Sequence, residues 1–332
     1  MIPVAIVTGF LGSGKTTLIR RILRDPGFAR TAVIVNEFGE IGLNHELIAS
    51  SDETLLALTT GCLCCAIRTD LVATLLDLQH RREAGSIGFD RVLIETSGLA
   101  DPAPILHALM TDRDILQQHR IDGVVTVVDA LLGEATLDRH PEARRQVALA
   151  DALLLSKCDL AAPSVALRAR LAGLNRGATL QSTQEAAPGV LFAGTGAAGR
   201  LPALPDLPGR NPFLAARHTD GIETFVLQRD RPLPALALAL LLEALAEHCG
   251  ARLLRQKGLV SLEEMPDQPA VIHGVQHVVA APEFLARWPS DDRTTRIVFI
   301  VQGVPRHFPS RLLDAIEPEV REAMAQPETR SP

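Results

Sequence analysis

Three cysteines fall within four positions, Cys62, Cys64 and Cys65, in the stretch "TTGCLCCAIRTD". Thiolates at that density suit a redox couple, a structural zinc clip or a site that loads and releases a soft or borderline cation such as Zn²⁺ or Co²⁺. A redox couple would use C-x-x-C; a disulfide between neighbours Cys64 and Cys65 would be strained, and a ring through Cys62 would be tight. A closed structural zinc needs four protein ligands, and the remaining cysteines, Cys158 and Cys249, lie far away in the chain. A transfer site is the remaining reading, and the cysteines by themselves do not choose among the three. A fourth ligand would come from elsewhere in the chain, with Glu37 the first candidate and His45 the second. His107, His119, His248, His273 and His277 form no ligand-spaced set with the cysteines.

A second chemistry sits at residues 9–17, "GFLGSGKTT". Gly9, Gly14, Lys15 and Thr16 fit G-x-x-x-x-G-K-[ST], a loop whose backbone N–H groups turn inward around a phosphate. Gly12, Ser13 and Thr17 complete the cradle. Lys15 would neutralise β/γ oxygens, and the Thr16 hydroxyl would bind Mg²⁺. An acidic strand end should stand beside that ion. Glu95 in "VLIETSG" and Asp129 in "TVVDA" compete for the role, and Asp129 could equally cap the following helix. Glu95 is preferred, because Gly98 follows three residues on, where a backbone N–H could sense a γ-phosphate. Finally, "LLLSKCD" sets Ser156, Lys157 and Asp159 at the end of an apolar strand. A carboxylate there accepts from guanine N1–H and its exocyclic amine, whereas adenine would leave it unpaired. The rival reading of Asp159 is a helix cap for "LAAPSVALRARL".

These residues need a scaffold that brings strand ends together. From 1 to about 205, β-branched runs alternate with helical stretches: "IPVAIVTG", "TAVIVNE", "TLLALTT", "DRVLIETSG", "GVVTVVDA", "DALLLSKCD". Most are continuously apolar, as in strands buried on both faces of a mostly parallel sheet. The expected fold is α/β, a P-loop NTPase domain over 1–205. A Gly/Pro/Ala-rich stretch around 187–212 reads as a surface loop or linker, with the linker proper at 206–218. A smaller α+β domain spans 219–320, reading as strand, Leu/Ala helix, three strands ("RLLRQKGLVSL", "PAVIHGVQHVVA", "TRIVFIVQG") and a closing helix.

The composition narrows the class further. The chain has 332 residues, a net charge of −6, no Tyr and one Trp, so its cores are aliphatic and it lacks the positive footprint that nucleic acid requires. No apolar run reaches membrane-spanning length, and "LPALALALLLEALAEHCG" is broken by Glu243 and Glu247. With no signal peptide visible at the N-terminus and no secreted-type disulfide spacing, the expected compartment is the cytoplasm.

The phosphate loop, "NEFGEIGLN", "GCLCC", "ETSGLADP", "VVDA" and "SKCD" occur in that order. This combination resembles the CobW-type P-loop GTPases, relatives of the HypB and UreG metallochaperones. "RQKGLV", "HGVQH" and "TRIVFIVQG" resemble the CobW C-terminal domain. The resemblance implies a first switch at 36–42 with Glu37 beside the metal or Mg²⁺, and a metal-binding C-x-C-C at Cys62, Cys64 and Cys65. It also implies a second switch at Glu95 and Gly98, and guanine reading by Lys157 and Asp159. The implied activity is slow GTP hydrolysis with Mg²⁺, coupled to delivery of Zn²⁺ or Co²⁺ to a client apo-metalloprotein. A metal-sensing regulator without transfer, a cobalt-insertion accessory protein and an ATP-dependent enzyme are the alternatives, and a homo-oligomer is open. Two departures stand out: Asn44 replaces a common Asp, and Ser156 replaces the Asn of N-K-x-D.

Overall fold

The computed structural model describes residues 1–36, 55–57, 64–192 and 221–325. Contacts divide the chain into two units, Met1–Pro212 and Phe213–Pro332.

In the first unit, β1 (Ile2–Thr8), β2 (Thr31–Asn36), β3 (Leu55–Ala57), β4 (Arg91–Thr96), β5 (His119–Asp129), β6 (Ala152–Ser156) and β7 (Thr179–Ser182) form one parallel sheet. Its order is β3-β2-β4-β1-β5-β6-β7. The helices are α1 (Lys15–Leu23), α2 (Cys64–Glu83), α3 (Ala103–Thr111), α4 (Arg113–Gln118), α5 (Gly133–Arg139), α6 (Pro141–Ala148) and α7 (Val165–Leu174). The central strand carries Val4, Ala5, Ile6 and Val7 at zero exposure, which explains its unbroken apolar run. Each Val or Ile so buried stabilises the fold by roughly 1.5–3 kcal/mol. β1 lies between β4 and β5, so the chain leaves its end in a crevice where the strand order reverses, the usual ligand position in open α/β sheets.

The strand β7 is a short edge strand of half-buried residues, "TLQS", with no apolar signature to announce it. Part of the Gly/Pro-rich stretch around 187–212 is core rather than linker. Pro188–Phe192 forms a 3₁₀ turn whose Leu191 is fully buried among Val7, Ile22 and Leu154.

The second unit is an antiparallel sheet under two helices. β8 (Ile222–Arg229), β9 (Leu253–Val260), β10 (Ala270–Val275), β11 (Val278–Val279), β12 (Glu283–Phe284) and β13 (Thr295–Gln302) pair in the order β11-β10-β9-β13-β8, with β12 on β10. The segment "PAVIHGVQHVVA", expected as one strand, is a hairpin: Gln276 takes a left-handed φ of 52° and turns β10 into β11. The helix α8 (Ala235–Cys249) starts after Pro234, and the Glu264 carboxylate accepts from the Ala235 N–H at 2.9 and 3.0 Å, capping that end from a distance. Leu241 and Leu245 of α8 and Leu313 of α9 (Phe308–Ala325) cover Ile297 and Phe299 of β13. No helix among the described residues is long and apolar enough to cross a membrane.

One buried group should make the stability of the first unit depend on pH. His119 opens β5 at 1% exposure, and burial, with Arg82 adding to it, holds its pKa below the ordinary 6.5. The unfolded chain then binds a proton that the folded chain refuses, so this contribution is complete above pH 6.5 and is lost as pH falls toward the folded pKa. Denaturant midpoints at pH 8 and pH 5.5 should therefore differ more for the parent protein than for His119→Phe. Equal pH dependence in the two proteins would remove His119 as the cause.

Candidate functional site

The phosphate loop is shaped by glycines where nothing else fits. Gly9 leaves β1 at φ 142°, and a Cβ there would sit 2.3 Å from the Val127 carbonyl oxygen. Gly14 takes φ 94° immediately before α1, a left-handed conformation that L side chains rarely adopt. Lys15 starts the helix at 7% exposure, and its Nζ donates to the carbonyls of Gly9 at 2.8 Å and Phe10 at 3.3 Å. The ammonium is thus held across the loop, with the α1 N-terminus beneath it, an arrangement suited to anions. Gly12 and Thr17 are exposed and Ser13 is buried.

The two contenders for the acidic strand end separate cleanly. The Thr16 hydroxyl donates to Glu95 Oε1 at 2.7 Å, and Glu95 is 1% exposed at the end of β4. A hydroxyl and a carboxylate side by side form an all-oxygen donor set, which fits a hard ion such as Mg²⁺. Asp129 is committed elsewhere. Its Oδ1 accepts from the Leu131 and Leu132 N–H groups at 2.8 and 3.1 Å, and its Oδ2 accepts from Lys157 Nζ at 2.6 Å. Burial works to raise the Asp129 carboxyl, but the Lys157 and backbone hydrogen bonds outweigh it and hold the pKa below 3.8.

At the end of β6 each expected residue has a distinct task. Ser156 Oγ donates to the Ser13 carbonyl at 2.6 Å, so the hydroxyl braces the phosphate loop. Lys157 has a left-handed φ of 57°, a strained state for a non-glycine residue that its ion pair with Asp129 helps to hold. Asp159 does not cap the next helix. Ser164 does, accepting from the Leu167 N–H at 2.9 Å, and Asp159 instead accepts from Gln184 Nε2 at 3.3 Å. Cys158 between them is half-buried, and burial raises its thiol.

Gly98 lies hard against the phosphate loop. A Cβ there would be 2.7 Å from the Leu11 nitrogen and 2.8 Å from its Cα. The turn it belongs to is held from behind by a residue that no motif flags. Gln146 of α6 is fully buried, and its Nε2 donates to the carbonyls of Gly98 at 3.1 Å and Ala100 at 3.0 Å. Thr126 Oγ1 donates in turn to the Gln146 carbonyl at 2.7 Å. A buried glutamine in a helix flanked by charges carries no local pattern, so only the fold reveals it.

The candidate metal ligands are less fully described. Cys64 and Cys65 begin α2, in the backbone that follows β3. Their side chains, and all of Glu37, His45 and Cys62, lie outside the described residues. Among the described residues no group of three or more His, Cys, Asp or Glu could hold a metal ion.

Residues 3–181 match the family model described as CobW/HypB/UreG, nucleotide-binding domain. The chain belongs to the CobW/HypB/UreG family. Residues 222–317 match a second model, the cobalamin synthesis protein cobW C-terminal domain. Among curated relatives of this family member, the zinc chaperone YjiA of Escherichia coli is 33% identical over 306 residues, 92% of this chain and 95% of its own. The zinc chaperone CobW of Pseudomonas aeruginosa is 34% identical and covers 91% of this chain and 88% of its own. Among solved structures, Zn(II)-bound YjiA GTPase from E. coli superposes with a TM-score of 0.73 at 28% identity, over 95% of this chain and 98% of that one. The two-part architecture of this CobW/HypB/UreG protein is therefore that of YjiA.

Proposed function

We infer that this protein is a GTP-hydrolysing metallochaperone that takes zinc as cargo and hands it to a client apo-metalloprotein in the cytoplasm. The observation that carries the GTPase reading is the Thr16–Glu95 hydrogen bond. It joins the phosphate loop to the acidic end of β4, three residues before Gly98. Gly9, Gly12, Ser13, Gly14, Lys15, Thr16 and Thr17 bind the phosphates, and Lys157 and Asp159 bind the guanine. Thr16 and Glu95 hold Mg²⁺, which neutralises charge on the β- and γ-oxygens when bound. Lys15 and the loop N–H groups stabilise the charge that grows on those oxygens as water attacks the γ-phosphorus. Because Ser156 is occupied with Ser13, the hydrogen-bonding edge of the base is read by Asp159, beside Lys157, with Gln184 steadying its carboxylate. ATP at equal concentration should then displace little GTP; equal competition would sink guanine selectivity.

The cargo site is Cys62, Cys64 and Cys65, with Glu37 as fourth ligand and His45 as its substitute. Zinc is favoured over cobalt by the relatives YjiA and CobW, which are zinc chaperones. Glu37 belongs to the segment that follows β2, and β2 lies next to β4, whose end carries Glu95. A nucleotide that draws this segment toward Mg²⁺ changes the zinc ligand set, which couples the two equilibria. Zinc affinity measured with GTP–Mg²⁺, with GDP–Mg²⁺ and with neither should differ by at least about tenfold between states. Cys64→Ala and Cys65→Ala should abolish tight binding in all three. Identical affinity across the three states would end the coupling.

A further inference from the structure

The phosphate loop has a second side. Behind it lies a cavity of about 190 Å³, lined by Phe10–Ser13, the end of β5, and residues of α5 and α6 that include Thr136, Ala143 and Gln146. Gly12, Ser13 and Lys157 line it too, so it adjoins the nucleotide surface, while none of Gly14–Thr17 and not Asp159 lines it. Its walls are mainly aliphatic. Leu11 and Leu132, largely exposed at 58% and 61%, stand at its rim with the half-buried Thr136. Phe10 stacks on His140 with ring centroids 4.3 Å apart, pinning the loop to the α5–α6 junction beside the cavity.

Two polar atoms of the lining are buried without a hydrogen-bond partner, Gln146 Oε1 and Ser13 Oγ. The Gln146 amide turns its NH₂ to the Gly98 and Ala100 carbonyls, which require a donor. Its oxygen is therefore an acceptor that no protein group satisfies, open to a donor from an occupant. An aliphatic cavity of roughly 150 Å³ already accommodates a benzene-sized molecule. The volume thus suits a single ring, and the stranded acceptor asks that ring to carry one donor.

We propose that this cavity is a regulatory site for a small, single-ring apolar molecule bearing one hydroxyl or N–H group, and that its occupant slows nucleotide release. The donor satisfies Gln146 Oε1 while the ring packs on the back of Phe10–Ser13. Gln146 already holds the Gly98–Ala100 turn, so an occupant stiffens the phosphate loop and that turn together. The binding half stands on the cavity alone; the coupling half rests on the GTPase reading above.

Phenol serves as the probe, benzene as the control without a donor, and Thr136→Phe as a variant that blocks the rim at a half-buried position. Binding is followed by ligand-observed NMR on the full chain, and release by displacement of a fluorescent GDP analogue. Phenol should bind saturably, at least fivefold more tightly than benzene and at least tenfold more tightly than to Thr136→Phe. Saturating phenol should slow GDP release at least threefold in the parent protein and leave Thr136→Phe unchanged. Absence of saturable binding, or binding untouched by Thr136→Phe, overturns the site. Binding with unchanged GDP release overturns the regulatory role. A protein that binds phenol as expected but takes up no guanine nucleotide overturns the GTPase reading while leaving the cavity assignment standing.

Discussion

Lys15→Ala should lower the rate of GTP hydrolysis by about 10²–10³-fold, the scale on which a single preorganised charge-stabilising donor acts. Lys15 is almost fully buried at the mouth of the loop, and its Nζ donates to two loop carbonyls at 2.8 and 3.3 Å. These bonds hold the ammonium at the loop in advance, so little side-chain freedom is left to lose when phosphates arrive. Alanine removes the charge without upsetting α1, since it is the best helix former. The variant should melt close to the parent protein while single-turnover phosphate release collapses and nucleotide affinity falls. A rate within threefold of the parent would show that the charge on the γ-phosphate is met by something other than this side chain.

Gly98→Ala should cost about ten- to a hundredfold in kcat/KM although it adds a single methyl group. The new Cβ would meet Leu11 backbone atoms at 2.7 and 2.8 Å, and a loop whose shape depends on Gly9 and Gly14 cannot move aside cheaply. Overpacking of this kind typically costs about 1–3 kcal/mol, here drawn from the fit between the turn and the phosphate loop. Gly189→Ala is the control, because a Cβ at Gly189 meets nothing within 4 Å. Hydrolysis should be unchanged in the control. Full activity in Gly98→Ala would mean that the turn and the loop need not touch during the reaction.

Much of this is legible in the amino-acid order alone. The phosphate loop occupies nine consecutive residues, and its glycines are required by backbone angles and close approaches that the motif encodes locally. The strands β1, β2, β4, β5 and β6 announced themselves because burial on both faces demands unbroken apolar runs. Where that demand relaxes, the signal fades. The half-buried edge strand β7 was missed for this reason, and β10 and β11 read as one strand because the left-handed turn at Gln276 lacks the usual glycine.

What the amino-acid order determined by itself was the set of reactive groups: a lysine and a hydroxyl after a glycine loop, acids at strand ends, three clustered thiols. Which of these groups meet was decided only in three dimensions. Thr16 finds Glu95 across 79 positions and Ser156 finds Ser13 across 143, because strand order places β4, β1, β5 and β6 side by side. The same order gives Asp129 to Lys157 and leaves Glu95 for the loop hydroxyl. A side chain at a strand end bonds to whatever the neighbouring strand presents. Neighbours in a parallel sheet are separated by whole helices in the chain, so no local pattern can record the pairing.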